Sequence, residues 1–266
     1  LHLAPGTALI LASIIAATLL SGVASVMAAA WLSFGLMSRL VPRMVSLSAG
    51  ILLGAAILHL LPEAFESQAD LHALSWTLLG GLVAFFLLER SSVLRHSHHH
   101  EGDGHGHHHG HDRREAGPGG TLILVGDSIH NLADGFLVAA AFLTDPWLGW
   151  LTAAAIAAHE IPQEVGDFIV LLNAGLSRRR ALFYNVLSGL AAVAGGVIGY
   201  LWLEAAKEAL PFVLVLAASA FVYIALADLV PDMHRQRQRG ESLLQVLLML
   251  AGIGAIAALT SLGHAH

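Results

Sequence analysis

Cysteine is absent from the 266 residues, which excludes a disulfide scaffold, a thiolate metal site and thiol chemistry. Any metal must be held by histidine, carboxylate, amide or water. Charge is scarce as well. Asp, Glu, Lys and Arg make up 12% of the chain, about half the roughly 25% of a water-soluble domain. So few charges cannot clothe a water-facing surface. What is present instead is apolar: 56% of the residues are hydrophobic and the mean hydropathy is +0.70. Apolar runs occupy 7–32, 45–62, 72–88, 121–143, 147–174, 180–203, 209–231 and 243–263. Most reach the ~20 residues that cross a bilayer core, with 45–62 and 72–88 at the lower limit. The first run, at about 25 apolar residues, is too long for the core of a secretory signal. We therefore read residues 1–266 as a single all-α integral membrane domain of eight transmembrane helices.

Basic residues are all but missing from every second loop. Arg39, Arg43, Arg90, Arg95, Arg113, Arg114, Arg178, Arg179, Arg180, Arg235, Arg237 and Arg239 fall on one side, and Lys207 alone on the other. The positive-inside rule makes the arginine side cytoplasmic, which puts both termini outside. Dropping any one span would destroy this segregation.

Residues 96–111, "HSHHHEGDGHGHHHGH", hold more than half of the 17 histidines. Glycine and histidine at this density cannot build a core, so 92–118 is expected to be a His-rich cytoplasmic loop that buffers metal weakly. A faint internal repeat links "AAILHLLPEAF" at the end of span 2 with "YIALADLVPDM" at the end of span 7. Each has a polar residue three before a proline and an acid just after it. The two ends lie on opposite faces, as an inverted repeat requires.

Two spans are polar where lipid-facing helices are not. Span 4, in "GDSIHNLADGFLVAAAFL", carries Asp127, His130, Asn131 and Asp134. Span 5, in "AAHEIPQEVGDF", carries His159, Glu160, Gln163, Glu164 and Asp167. Both clusters arrive near the bilayer midplane from opposite directions. Asp127, His130 and Asp134 share one helical face with Asn131 at its edge, while His159, Gln163 and Asp167 form a stripe beside Glu160 and Glu164. An acid at a helix centre costs ~3 kcal/mol on insertion scales. Five acids in two helices must face one another, a cation or water. Structural hydrogen bonding between helices is worth only ~0.6 kcal/mol on average and does not account for them.

Imidazole with carboxylate and no thiolate suits Zn²⁺, and also Fe²⁺, Mn²⁺, Co²⁺ or Ni²⁺. Pro162 removes the helical bond to the carbonyl of Ala158 and loosens span 5 beside its polar residues.

At these residues the chain resembles the ZIP (Zrt/Irt-like) family of divalent-metal transporters. "HNLADG" and "HEIPQEVGDF" are similar to its signatures HNxxDG and HExPHExGDF. The second form, with a His-rich loop between spans 3 and 4, is that of the LIV-like subfamily. The resemblance covers nearly the whole chain. It implies a 3+2+3 helix arrangement with an inverted repeat, and metal movement into the cytoplasm between spans 4 and 5. His130, Asp134, His159 and Gln163 would be the main ligands, with Asn131 and Glu160 lining a neighbouring position. It also implies a homodimer, no permanent cofactor, and zinc as transported substrate, with Cd²⁺ joining the candidates above. The expected location is the bacterial inner (plasma) membrane, and no nucleic-acid partner is expected. Two features depart from the pattern. Gln163 stands where the signature has a second histidine, and span 6, "NVLSGLAAVAGG", has no acid to bridge two metals. A single-metal site is therefore expected. His59, Glu63, Asp228 and Asp232 are candidate pathway residues near the two mouths, and equally ordinary polar residues at helix ends.

Two other classes compete. "HEIPQ" is one residue from the HExxH of zinc proteases, but glutamine replaces the second ligand and polar span 4 would have no role. Cation-diffusion exporters also combine intramembrane His and Asp with His-rich loops, yet typically have six spans and cytoplasmic ends.

Overall fold

In the computed structural model the chain is described over residues 5–32, 37–90, 112–235 and 242–263. Side chains are described within 7–31, 40–87, 124–231, 233–234 and 242–261. The residues of 92–111, including the histidine tract, lie outside the described residues, as does the side chain of Asp232.

Eight helices run through the described residues, and no strand is among them. Helix α1 covers 5–32, α2 covers 37–65 and α3 is Leu71–Arg90. Then come α4 (Asp112–Thr144), α5 (Pro146–Asn173), α6 (Arg178–Ala205), α7 (210–235) and α8 (Ser242–Gly263). Because α4 begins at Asp112, residues 112–118 are helical where the sequence suggested loop. Five stretches, in α1, α2, α6, α7 and α8, are long and apolar enough to cross a membrane, and α3 has a shorter apolar stretch, Leu71–Leu87. Helices α4 and α5 fall outside that group because of the acids and imidazoles they carry.

The distribution of side chains is the reverse of a water-soluble fold. Leu9, Trp31, Trp76, Phe183 and Leu243 are exposed, whereas Asp127, Asp134, Glu160, Glu164 and Asp167 are buried. Lipid accepts the first set and the protein interior shelters the second.

Packing follows the inverted repeat. Helix α2 packs on α8, as α7 packs on α3; α6 packs on α4, as α1 packs on α5. Exchanging α1–α3 with α6–α8 and α4 with α5 preserves these pairings, which is the 3+2+3 arrangement. Three helices contain π segments: Leu19–Ala24 in α1, Ala56–Leu60 in α2 and Ile224–Leu229 in α7. The last two each end two residues before a proline, Pro62 or Pro231. A proline cannot donate to the carbonyl four residues back and its ring crowds it. Widening the turn relieves both problems. In α1 hydroxyls serve instead, with Ser25 Oγ donating to the carbonyls of Ser21 and Gly22.

Close backbone approach holds the bundle where side chains are small. A methyl group added at Gly135 of α4 would overlap the carbonyl of Ala192, and one at Gly195 of α6 that of Leu132. Such contacts replace the hydrophobic drive that lipid abolishes.

Candidate metal centre

The site is set by a hairpin. Asp145 caps α5 by accepting from the Leu148 N–H at 3.0 Å, and Pro146 begins the helix with its φ already suitable. His130 lies fourteen residues before Thr144 and His159 thirteen after Pro146. At 1.5 Å per residue each stands about 20 Å from the turn, so the two imidazoles meet at one depth. The other end of α5 closes with paired bonds, Gly175 N–H to Leu172 O at 2.9 Å and Leu176 N–H to Leu171 O at 3.1 Å. Gly175 supplies the positive φ of 90° that this ending needs.

Four donors converge. His130 Nε2 is 3.3 Å from Glu160 Oε1 and 3.7 Å from Asp134 Oδ2. His159 Nε2 is 3.5 Å from Glu160 Oε1 and 3.6 Å from Asp134 Oδ2. The two Nε2 atoms are 3.4 Å apart. Ligand atoms around a tetrahedral zinc ion with 2.0–2.1 Å bonds stand about 3.3–3.4 Å from one another. The spacing suits a metal polyhedron, and all four atoms lie within 4.8 Å of one another. Behind the site, His159 Nδ1–H donates to the Ala155 carbonyl at 3.3 Å, which leaves Nε2 with its lone pair turned inward. Lone pairs and carboxylates aimed at one point repel unless a metal ion or a proton lies between them.

A second group adjoins the first. Asp127, Glu160 and Glu164 each offer an oxygen, all within 4.8 Å of one another. Glu160 belongs to both groups. Both oxygens of Glu164 and Oδ2 of Asp134 are buried with no hydrogen-bond partner.

Several sequence expectations change here. Glu160 joins His159 in the first group while still sharing the second with Glu164. Asn131 turns to Asp127, donating from Nδ2 to its carbonyl and to Oδ1, both at 3.1 Å. It therefore orients Asp127 and directs its amide protons away from any cation. The single-metal expectation rested on the absence of an acid from α6, but α4 and α5 themselves supply a second set of carboxylates. Glu164 was legible as an ionisable residue on a polar helix; its pairing with Asp127 across the hairpin was not.

Gln163 is half-buried on α5 one turn after His159, and Asp167 is buried farther along, outside both groups. His59 is buried in the π segment of α2, Glu63 follows Pro62, and Asp228 sits in the π segment of α7. None of these three belongs to either group.

A family model described as ZIP Zinc transporter matches residues 6–260. The chain is similar to zinc transporter ZIP13 of Danio rerio, 32% identical over 82% of this chain and 75% of that protein. It is also similar to zinc transporter ZIP13 of Homo sapiens, 31% identical over 79% of this chain and 68% of that protein. Similarity to zinc transporter foi of Drosophila melanogaster is 37% over half of this chain, which spans only 19% of that much longer protein.

Proposed function

Since the chain belongs to the ZIP zinc transporter family, we propose that it carries a divalent transition metal, zinc foremost, across the membrane into the cytoplasm. The ion would pass between α4 and α5. The carrying observation is that the imidazole nitrogens of His130 and His159 lie 3.3–3.7 Å from the carboxylate oxygens of Asp134 and Glu160. Two neutral imidazoles and two carboxylates balance the charge of a divalent ion, and their softness favours zinc over Mg²⁺ or Ca²⁺. Zinc is a substrate here, not a resident cofactor. Family members are transporters, and Glu160, the residue a zinc protease would use as base, stands in this chain among the would-be ligands. The family also separates the chain from the cation-diffusion exporters.

Glu160 is the natural relay. An ion held by the histidine set can take up Asp127 and Glu164 before it releases the imidazoles, so no step strips it bare. On the topology read from the arginines, Asp127 and Glu164 lie on the cytoplasmic side of the histidines. Zinc uptake into sealed, oriented vesicles, with the other divalent metals as competitors, tests the reading. Zinc accumulating only on the opposite side, or no zinc movement, would overturn it.

Gln163 completes the proposed set as a neutral ligand one turn from His159. Gln163→His should lower the apparent KM for zinc by about threefold or more, because imidazole binds zinc better than an amide. Maximal flux should stay level or fall, since a tighter ion leaves more slowly. If Gln163→His and Gln163→Ala both leave zinc affinity unchanged, Gln163 is not a ligand.

The proposed setting is a plasma membrane, the bacterial inner membrane, with both termini outside and the histidine tract cytoplasmic. Because the chain has no cysteine, Ser97→Cys creates a single reactive thiol. It should resist an impermeant thiol reagent in intact cells and react after permeabilisation; ready labelling of intact cells would reverse the orientation. Assembly as a homodimer is proposed from the family resemblance alone, and cross-linking in membranes tests it.

A further inference from the structure

Pro162 creates a problem in α5 that the helix does not solve by itself. It cannot donate to the carbonyl of Ala158, the residue directly before His159 and Glu160. In a membrane no bulk water is available to that carbonyl, and an unsatisfied carbonyl there costs several kcal/mol. At Pro62 and Pro231 a π segment precedes the proline. No π segment precedes Pro162, and α5 runs unbroken from Pro146 to Asn173.

The missing donor comes from another helix. Ser48 of α2, itself buried, donates from Oγ to the Ala158 carbonyl. Hydroxyls in these helices mostly bond back to their own backbone: Ser46 to Pro42 O at 3.0 Å, Ser128 to Leu124 O at 2.7 Å, Thr260 to Ile256 O at 2.9 Å. Ser219 reaches across to the Leu78 carbonyl, but it also bonds Val215 O in its own helix. The acceptor of Ser48 is the carbonyl that a proline has left without its helical partner.

We propose that Ser48 is a positioning residue for the metal site, holding through the Ala158 carbonyl the stretch of α5 that carries His159 and Glu160. This rests on the transport reading above for the identity of the ion. Helix α2 also carries His59 in its π segment. A displacement of α2 along α5 therefore breaks a bond at the backbone of two ligands, which links movement of a pathway helix to the grip on the ion.

The test is a double-mutant cycle on purified protein, with zinc binding read by calorimetry and uptake read in proteoliposomes. Ser48→Ala should raise both zinc Kd and KM by about three- to tenfold, the worth of one net hydrogen bond. Ser48→Thr keeps the hydroxyl and should restore both to within twofold. Pro162→Ala returns an N–H to α5 for the Ala158 carbonyl, so adding Ser48→Ala in that background should change Kd less than twofold. An unchanged Kd in Ser48→Ala, or an equal penalty in both backgrounds, would overturn the proposal. Should Pro162→Ala bind no zinc, thermal melting replaces calorimetry in the cycle. Ser48→Ala should then lower the melting temperature of the otherwise native chain but not that of Pro162→Ala, and equal losses would overturn it. A native chain that binds no zinc would refute the metal-site reading; the melting cycle would still decide the bond.

Discussion

His130→Ala and Asp134→Ala are each expected to abolish zinc flux while leaving a folded protein. Each removes one of four donors whose imidazole nitrogens and carboxylate oxygens lie 3.3–3.7 Å apart. Losing even a hydrogen-bond partner of a metal ligand costs about 10–100-fold in affinity. Losing the ligand itself should cost more than about 100-fold in zinc Kd and push flux to background. Stability should move the other way for Asp134→Ala. Its buried Oδ2 has no hydrogen-bond partner, only the imidazole nitrogens of His130 and His159 at 3.7 and 3.6 Å, so while those imidazoles are neutral the metal-free variant should melt at or above the native temperature. Flux within threefold of native in either variant, with native folding, would show that the ion does not pass this point.

The second large effect concerns Glu164. Both of its oxygens are buried without a partner, beside Asp127 and Glu160. An acid at that depth carries an insertion cost of about 2.5–3.5 kcal/mol. Glu164→Leu should therefore raise the melting temperature of the metal-free protein by several degrees. It should also cut maximal flux by about tenfold or more, because the ion loses its next position beyond Glu160. Glu164→Gln keeps the shape without the charge, and should show the flux loss with a smaller gain in stability. Unchanged flux in both variants would remove the second group from the pathway. A lower melting temperature in Glu164→Leu would mean that the carboxylate supports the fold.

Obtained together, the two outcomes would describe a molecule that keeps unfavourable groups inside for the sake of transport. Buried carboxylates that face one another, Asp127, Glu160 and Glu164 among them, would destabilise the empty site, and a bound cation would relieve that repulsion.

Most of the fold, and the identity of the polar helices, could be read from the sequence. Apolar runs of span length, the one-sided arginines and the scarcity of charge determined an eight-helix membrane bundle, because lipid admits few alternatives. The paired polar stretches around His130 and His159 marked the candidate site, because acids at mid-span are too costly to be incidental. Helical periodicity sorts residues onto faces of one helix, but it does not say how two helices are rotated against each other. That rotation put Glu160 between the two groups, turned Asn131 onto Asp127 and joined Asp127 to Glu164. The proline in "HEIPQEVGDF" announced a bare carbonyl at Ala158; only the packing of α2 on α5 determined that Ser48 would bond it, since that partner lies 110 residues away. The π segments before Pro62 and Pro231 were likewise decided in three dimensions. A proline states that its helix must yield, and the neighbouring helices decide whether it widens or borrows a donor.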